Sequence, residues 1–428
     1  MKRRIRRSII LLVIMFLTTG CVRQELNYKE SQISSSPDIT LTFFGYKYEA
    51  LSVQAIETSL HDYMNQHPEI AITYESIKGT AYYDALLKRV ANGYTDDIFM
   101  VDQASTKELS QQGVLADLSD LSTIDNFNEL AKSQMIINGE IRYVPTSISA
   151  FGLYCNEELL EKHHQKVPQN LEEFKAVCSY FVEKGITPIV ANNDISLKTI
   201  ILAKGLFDVY QDENPQEMMK QFNTGERDLA KQLEPGFALV EMMIDKQYID
   251  TNEALNTKKT QDDLEIFAKG ERPFMLTGAW AATRLKDLNP KLSFSVHPYP
   301  ILEDGSVMVV NIDTRVAVNA KGEHVEEAKA FVEYITQKDV MRDFAKSIDS
   351  FIPCNDKQDL DNPAIEPMEA YMENKRSVIG SDDNLIYPIW NLTRESVVDM
   401  LKGKSREETL KQLDEKLLKV REEGDYEK

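Results

Sequence analysis

The first half of the chain alternates between two hydrophobic patterns. Apolar and polar residues alternate in DITLTFFGY, which predicts a strand that ends at Gly45. Helical spacing follows as far as Pro68, and then a second strand in IAITYESI and a second helix that ends at Gly93. A third strand in DDIFMVD precedes a short helix that we expect Ser105 to cap. This order predicts a parallel α/β sheet, with ligand contacts at the carboxyl ends of its strands.

Prolines and glycines mark most of the boundaries expected later in the chain. In IRYVPTSISAFGLYCNEELLEKH, Pro145 is expected to interrupt one strand before a second apolar strand leads into a helix. Asn170 is expected to cap the next helix, with Glu173 three residues further on. The segment from Leu197 to Phe267 is predicted to be mostly helical, with breaks at Pro215, Gly225 and Pro235–Gly236. Strands in RPFMLTG, LSFSVHPYPI and MVVNIDTRVAVNA precede the helices that close the chain.

The first 20 residues have the three-part pattern of an export signal. A basic segment, MKRRIRR, precedes the apolar SIILLVIMFL and then TTGC, whose Gly20 stands before Cys21. This resembles a bacterial lipoprotein signal, although Leu17 lies one residue further upstream than is usual. An ordinary cleaved signal peptide with an incidental cysteine is the alternative. We predict a lipoprotein signal over residues 1–20, lipidation of Cys21 and a serine-rich flexible tether over residues 21–37.

Charge and cysteine content narrow the classes of function. The net charge of −20 repels phosphate backbones and argues against nucleic-acid binding. It also disfavours anionic ligands unless a local arginine overrides it. The four cysteines contain no CxxC pair, and Cys155 and Cys178 lie in apolar patterns that predict small buried side chains. We predict no metal site and no cofactor.

Four segments, in order, resemble the motifs of one known family. They are HPEIAITYESIKGTAYYDAL, GYTDDIFMVDQASTKELSQQGVLADLSDL, IRYVPTSISAFGLYCNEELLEKHHQKVPQNLEEFKAVCSYFVEKGITPI and FAKGERPFMLTGAW. The chain thereby resembles the family 1 extracellular solute-binding proteins, the maltose-binding type that serves ABC importers. Departures from the family pattern at Phe43–Gly45 and Asn311–Asp313 lie near the expected pocket and leave the identity of the ligand open.

The resemblance implies an α/β, two-lobed periplasmic-binding-protein-like fold of type II, with a ligand cleft between lobes that are joined by hinge crossings. The implied lobes are residues 38–146 plus 299–348 and residues 147–298 plus 349–428. We expect hinges near Val144–Ser149 and His297–Pro300. A ligand that touches both lobes would favour the closed state.

The resemblance also implies the partners and the location. A monomer would capture a carbohydrate, an oligosaccharide in the first instance, and deliver it to ABC permease subunits. A separate ATPase would supply the energy, because this chain has no GxxxxGK[ST] motif. A lipid on Cys21 would hold the protein at the extracellular face of the cell membrane of a Gram-positive bacterium.

Aromatic rings cover the C–H faces of a sugar, and polar side chains hold its hydroxyls. At positions that match the family's site, we expect the aromatic platforms to be Trp280 and Trp390. The other expected ligand contacts are Tyr46, Lys47, Tyr48, Asp102, Gln103, Asn192, Asn193 and Asp313. No catalytic residue is predicted.

Each of these residues has a structural alternative. The tryptophans could pack in a core, and the tyrosine–lysine–tyrosine loop could be a solvated turn. Asp102 and Gln103 could cap a helix, and the Asn192–Asp194 loop could reflect turn chemistry alone. A surface ion pair between Asp313 and Arg315 is expected ahead of a ligand contact by Asp313.

Three other functions compete with sugar capture. A secreted carbohydrate-active enzyme is disfavoured because the chain has no GxSxG or HExxH motif and no distinctive pair of acids. The same fold could bind a polyamine, a peptide or a phosphorylated polyol. A lipoprotein adhesin or sensor without an importer is the third alternative.

Overall fold

The computed structural model describes residues 37–94, 96–137, 139–373 and 376–423. The predicted signal, Cys21 and all but the last residue of the predicted tether lie outside these residues. From Ile39 onward the chain forms one compact unit. No helix in the part of the chain that the structure describes is both long enough and apolar enough to cross a bilayer.

Twelve strands occur among the described residues, and two of them are much longer than the rest. They are β1 Ile39–Gly45, β2 Ile70–Ser76, β3 Ile98–Val101, β4 Ile136–Ile137, β5 Glu140–Ile141, β6 Val144–Asn156, β7 Ile189–Val190, β8 Phe274–Gly278, β9 Phe294–His297, β10 Tyr299–Leu302, β11 Gly305–Val318 and β12 Ser377–Ile379.

The helices alternate with these strands. The α-helices of the described residues are α1 Ala50–Gln66, α2 Thr80–Ala91, α3 Gln103–Gln111, α4 Glu129–Met135, α5 Glu157–Lys162, α6 Leu171–Glu183, α7 Ser196–Gln211, α8 Pro215–Thr224, α9 Leu229–Asp245, α10 Thr251–Asn256, α11 Asp262–Phe267, α12 Ala282–Leu288, α13 Val325–Ile335, α14 Lys338–Ser347, α15 Glu369–Glu373, α16 Ile389–Leu401 and α17 Arg406–Glu423. Short 3₁₀ helices span Ser122–Asn126, Ala279–Ala281 and Glu366–Met368.

The long strands β6 and β11 join two halves of one sheet. Its order is β2-β1-β3-β11-β6-β8-β7. The first three strands are mutually parallel, which confirms the layout predicted from the first half of the chain. β3 pairs with the end of β11, whereas β8 and β9 pair with the end of β6. β6 and β11 are antiparallel and pair across the middle of the sheet.

The buried apolar side chains form two clusters on opposite faces of the long strands. Alternate residues of β6 belong to different clusters, as the two-residue period of a strand requires. The first cluster contains Ile148, Ala150 and Tyr154, with the strands β1–β3 and helix α13. The second contains Phe151, Leu153 and Cys155, with helices α6, α7 and α9. Cys155 and Cys178 are fully buried, as predicted.

Two predicted breaks are wrong. Pro145 lies inside the continuous strand β6. Among the described residues it pairs with a neighbouring strand on one side only, and a sheet tolerates proline at such a position. Pro235–Gly236 lies inside helix α9. A Cβ on Gly236 would be 2.3 Å from the carbonyl oxygen of Ile201, so the glycine allows α9 to pack closely on α7. This tertiary contact outweighs the local preference against helix.

Two of the capping predictions have different outcomes. Asn170 caps α6, and its side chain accepts a hydrogen bond of 3.0 Å from the amide of Glu173, as predicted. The expectation that Ser105 caps α3 is wrong, because Asp102 is the cap. Asp102 accepts from the Ser105 amide at 2.8 Å, and the Ser105 hydroxyl accepts from the Asp102 amide at 2.9 Å. This reciprocal pair is a capping box.

The segment of the expected second hinge lies in the second half of the sheet. His297 ends β9, Pro298 separates it from β10, and Tyr299 begins β10 and packs in the second cluster. The second strand that joins the two halves is β11 instead. Its residues Asn311–Val316 pair with Val144–Ser149, the first expected crossing. The lobe boundaries given above stay a prediction.

Candidate functional site

The face that bears the second cluster becomes polar where β6 and β11 cross the middle of the sheet. The apolar residues of β6 on this face end at Phe151, and serines occupy the next two positions of the same face. The cross-strand pairs along it are Val309–Phe151, Asn311–Ser149 and Asp313–Ser147. We call these six residues the crossing face. Asn311 and Asp313 are partly exposed, so the face presents polar groups at the junction of the two halves.

Asp313 is the centre of a dense hydrogen-bonding group on this face. Its Oδ2 accepts from Lys47 Nζ at 2.8 Å and from Ser149 Oγ at 2.5 Å. Its Oδ1 accepts from the Tyr46 hydroxyl at 2.8 Å and from the Thr314 amide at 2.7 Å. Burial alone would raise the pKa of Asp313, but the Lys47 ammonium and the hydroxyl donors hold the pKa well below its usual range.

Thr314 has backbone strain beside this group. It is β-branched and has φ of 49°, a conformation that such residues rarely adopt. Its amide also donates to the Tyr46 hydroxyl at 3.1 Å, and its own hydroxyl lies 2.9 Å from Ser147 Oγ. The surrounding hydrogen bonds therefore maintain the strained backbone at the crossing.

The expected ion pair between Asp313 and Arg315 is wrong. Arg315 NH1 instead contacts Asp383 at 2.8 and 2.6 Å, and its Nε donates to the carbonyl of Ile312. The pair is buried, with 5% and 2% of the two side chains exposed. The strained backbone at Thr314 lies between Asp313 and Arg315. Asp313 pairs with Lys47, whereas Arg315 pairs with Asp383.

Both tryptophans contact Phe151, at the apolar end of the crossing face. Their ring centroids lie 5.2 Å (Trp280) and 5.1 Å (Trp390) from that of Phe151. Each indole also lies over a glycine, Trp280 over Gly278 and Trp390 over Gly380, where a Cβ would come within 3 Å of the indole ring. Both indoles are partly exposed. Both predicted aromatic platforms therefore contact the same residue, Phe151, which lies two positions after Ser149 on β6.

Trp390 has a buried cation on its ring. Lys198 Nζ lies 3.9 Å from the ring centroid and 2.8 Å from Asp194 Oδ1, and its side chain is 1% exposed. Burial lowers the pKa of Lys198 to about 8, with Asp194 opposing the shift and Lys259 and Arg394 adding to it. Asp194 also contacts Lys259 at 2.5 Å and Arg394 at 3.5 Å.

Gln103 joins the first half of the chain to a loop near its end. Its Nε2 donates to the carbonyls of Asp382 and Leu385, each at 2.8 Å. Gln134 and Tyr210 also bind Asp382, so side chains from widely separated elements hold this loop in place. Asp102 caps α3, which is the structural alternative given above.

Three other predicted residues contact partners within the protein. Asn192 is fully buried, and its Nδ2 donates to Asp263 Oδ2 at 2.9 Å. Asn193 donates to the carbonyl of Leu255 at 2.9 Å. Tyr48 is 40% exposed, with Lys78 5.0 Å from its ring centroid. Ligand contact by the ten predicted residues stays a prediction.

Comparison of the sequence with known protein families shows which family the chain belongs to. Residues 58–371 match the model of the bacterial extracellular solute-binding proteins. The chain belongs to this family. Among curated relatives of this solute-binding protein, the multiple sugar-binding protein of Streptococcus mutans is 22% identical over 346 residues, which cover 79% of this chain and 80% of the relative.

Solved structures share the fold. The apo form of RafE from Streptococcus pneumoniae has a TM-score of 0.71 at 19% identity, over 90% of this chain and 99% of that chain. A binding protein of Bacillus subtilis, in an open conformation, has a TM-score of 0.74 at 16% identity, over 91% and 100% of the two chains. These likenesses confirm the predicted α/β two-lobed solute-binding fold.

The sequence prediction did not include several residues that build the site. Ser149 and Phe151 lie in IRYVPTSISAFGLYCNEELLEKH, which predicted strands, a hinge and the family but no ligand contact, and Lys198 lies inside a helix. One signal was available for the two β6 residues: their two-residue period places a serine and a phenylalanine on the same face. No local pattern indicates that Lys198 lies on Trp390, because 191 intervening residues separate them.

Proposed function

We propose that this solute-binding protein captures an oligosaccharide in an interlobe cleft at the crossing face and delivers it to the permease of an ABC importer. The single observation that carries the proposal is the arrangement on β6. Two partly exposed indoles contact Phe151, and a group of hydroxyl, ammonium and carboxylate donors and acceptors begins at Ser149. Apolar rings beside such a polar group suit a molecule with C–H faces and a rim of hydroxyls.

The ligands of related proteins support this class of solute. The curated relative is a sugar-binding protein. Structures with the same fold include RafE in complex with raffinose, a Bacillus licheniformis sugar transporter component in complex with stachyose, and a chitin oligosaccharide binding protein. These names describe the neighbours, and they favour an oligosaccharide over a monosaccharide here.

The proposed mechanism depends on movement of the two halves. Lobes near residues 38–146 plus 299–348 and residues 147–298 plus 349–428 would close on the ligand by rotation about β6 and β11. Lys47 comes from the first half and Trp280 from the second, so a ligand that touches both would bind the closed state better. Closure would form the surface that the permease recognises, with the ATPase on a separate subunit.

We also propose where the protein lies in the cell and that it does not alter its ligand chemically. Lipidation of Cys21 and the tether over residues 21–37 would hold a monomer at the outer face of the cell membrane of a Gram-positive bacterium. We propose that the protein has no catalytic residue, so the ligand would leave unchanged. Incubation with an oligosaccharide that binds should therefore release no reducing sugar.

A thermal-shift screen with neutral and acidic oligosaccharides tests the proposal. A ligand at 100 times its dissociation constant stabilises the folded state by ~2.7 kcal/mol, which raises the melting temperature measurably. We expect a shift with at least one oligosaccharide and none with spermidine or a tripeptide. A shift with spermidine or the tripeptide and none with any saccharide would contradict the proposal. Permease coupling is checked by uptake of the binding sugar in cells with and without the gene.

A further inference from the structure

A cluster of cations lies beside Trp390 in this acidic protein. Asp194 contacts Lys198 at 2.8 Å, Lys259 at 2.5 Å and Arg394 at 3.5 Å. We call these four residues the Asp194 cluster. One carboxylate balances three cations, so the cluster carries two positive charges in excess although the whole chain carries −20.

Elsewhere in the described residues, shared ion pairs have the opposite arrangement. Arg89 lies between Glu75 and Asp96, and Arg406 contacts two glutamates. Lys346 likewise contacts two aspartates. In each of these cases one cation contacts two acids, whereas in the Asp194 cluster one acid contacts three cations.

The cluster lies at the ligand edge of the sheet. β7 and β8 are parallel and in register, with Ile189 opposite Phe274 and Val190 opposite Met275. The Asn192–Asp194 loop follows β7, and Trp280 follows β8. In open α/β sheets, ligands bind outside the carboxyl ends of parallel strands, so Asp194 and Trp280 lie at the same ligand-binding edge.

The members of the cluster divide into a buried anchor and two accessible cations. Lys198 is 1% exposed and Asp194 is 20% exposed, whereas the side chains of Lys259 and Arg394 are each 48% exposed. Asp194 therefore holds the two accessible cations close together. The contact between Lys198 and the Trp390 ring fixes the cluster next to an indole of the candidate site.

We propose that Lys259 and Arg394 form a subsite for a negatively charged group on the carbohydrate, such as the carboxylate of a uronic acid residue. This inference rests on the proposed function, and it names the class of sugar. The guanidinium of Arg394 and the ammonium of Lys259 both suit a carboxylate. Asp194 supplies one negative charge to the cluster, and the carboxylate of the ligand would supply a second.

Calorimetric titration with matched pairs of saccharides tests the inference. The pairs are trigalacturonate with galactotriose, glucuronosyl-xylotriose with xylotriose, and sialyllactose with lactose. We expect at least one acidic member to bind tenfold or more tightly than its neutral match at 20 mM salt. The preference should shrink at 300 mM salt, because exposed charges are screened over a few ångströms there.

Variants assign the preference to the two cations. In a Lys259→Gln/Arg394→Gln double variant, the acidic preference should fall at least tenfold, with an unchanged circular dichroism spectrum. A Lys175→Gln/Lys346→Gln double variant removes two positive charges from ion pairs outside the Asp194 cluster and should keep the preference.

The outcomes separate the inference from the function. If neutral saccharides bind as tightly as their acidic matches, or if the Lys259→Gln/Arg394→Gln variant keeps the acidic preference, the subsite is refuted and sugar capture stands. If no saccharide of either kind binds, both proposals fail.

Discussion

Lys47 and Asp313 form an ion pair of 2.8 Å between the loop after the first strand and the middle of the long strand β11. The two residues are 266 positions apart in the sequence. Only 14% of the Lys47 side chain and 20% of the Asp313 side chain are exposed. This pair attaches the first half of the chain to the crossing face, where the two tryptophans of the second half also converge.

Asp313→Asn tests the importance of this pair for stability. The substitution leaves the Lys47 ammonium without its carboxylate in a site that is mostly buried, and such breaks cost about 3–5 kcal/mol. We expect a loss of about 3 kcal/mol in the free energy of unfolding, measured by urea denaturation at pH 7. Glu172→Gln breaks an exposed pair with Lys175 and should cost less than about 1 kcal/mol. Equal losses in the two variants would contradict this prediction.

Trp280→Ala tests the aromatic platform. Trp280 contacts Phe151 and follows the carboxyl end of β8, whereas the ring of Trp390 is already in contact with the buried Lys198. We expect the alanine variant to bind its oligosaccharide about tenfold or more weakly, because ~1.5–3 kcal/mol of ring burial is lost. The ligand-induced change in tryptophan fluorescence should also become smaller, because only Trp390 remains to report binding. Unchanged affinity with an unchanged circular dichroism spectrum would remove Trp280 from the site.

Gly236→Ala tests the close packing of α9 on α7. The added methyl would lie 2.3 Å from the Ile201 carbonyl oxygen, so the helices must separate. Overpacking of this kind costs about 1–3 kcal/mol, and we expect a corresponding fall in the midpoint of urea denaturation. Lys231→Ala, on the exposed face of the same helix, should change stability by less than about 0.5 kcal/mol. A Gly236→Ala variant as stable as the parent would show that the helix contact is adaptable.

We expect Asp194 to make a contribution to the free energy of unfolding that is lost in acid. Burial by itself would raise the pKa of Asp194. Lys198 and Lys259 have a larger effect in the opposite direction, so the pKa falls from 3.8 to about 2. The folded state therefore binds fewer protons than the unfolded state between these two values. The stabilisation is complete above about pH 4 and is lost as the pH falls towards 2, with about 1 kcal/mol lost by pH 3.

Urea denaturation at pH 6 and pH 3 checks this contribution. Asp194→Asn should be less stable than the parent by about 3 kcal/mol at pH 6, because Lys198 is left buried without its partner. The difference should narrow at pH 3, since the parent then loses part of the ion pair. Glu395→Gln, in an exposed pair with Lys416, should show no such narrowing. A gap between parent and Asp194→Asn that is constant with pH would contradict the assignment.

Local interactions explain what the sequence by itself determined. The alternation before Gly45, the helix that ends before Pro68 and the Asn170 cap each depend on residues within a few positions of one another. Four motifs in order, among them HPEIAITYESIKGTAYYDAL and FAKGERPFMLTGAW, resemble those of the family, and this resemblance implied the two-lobed fold. Short spacings were sufficient for the local elements and the cap, but the fold rested on the resemblance.

Tertiary structure alone decided which distant side chains meet. The sequence placed Asp313 beside Arg315, but the strained backbone at Thr314 separates them and gives each a partner from another part of the chain. Pro145 remains in a strand and Gly236 in a helix because of their neighbours in space, not in sequence. The cations around Asp194 and the indoles around Phe151 converge for the same reason: burial and charge pairing act through distance in the folded state, which a linear pattern does not contain.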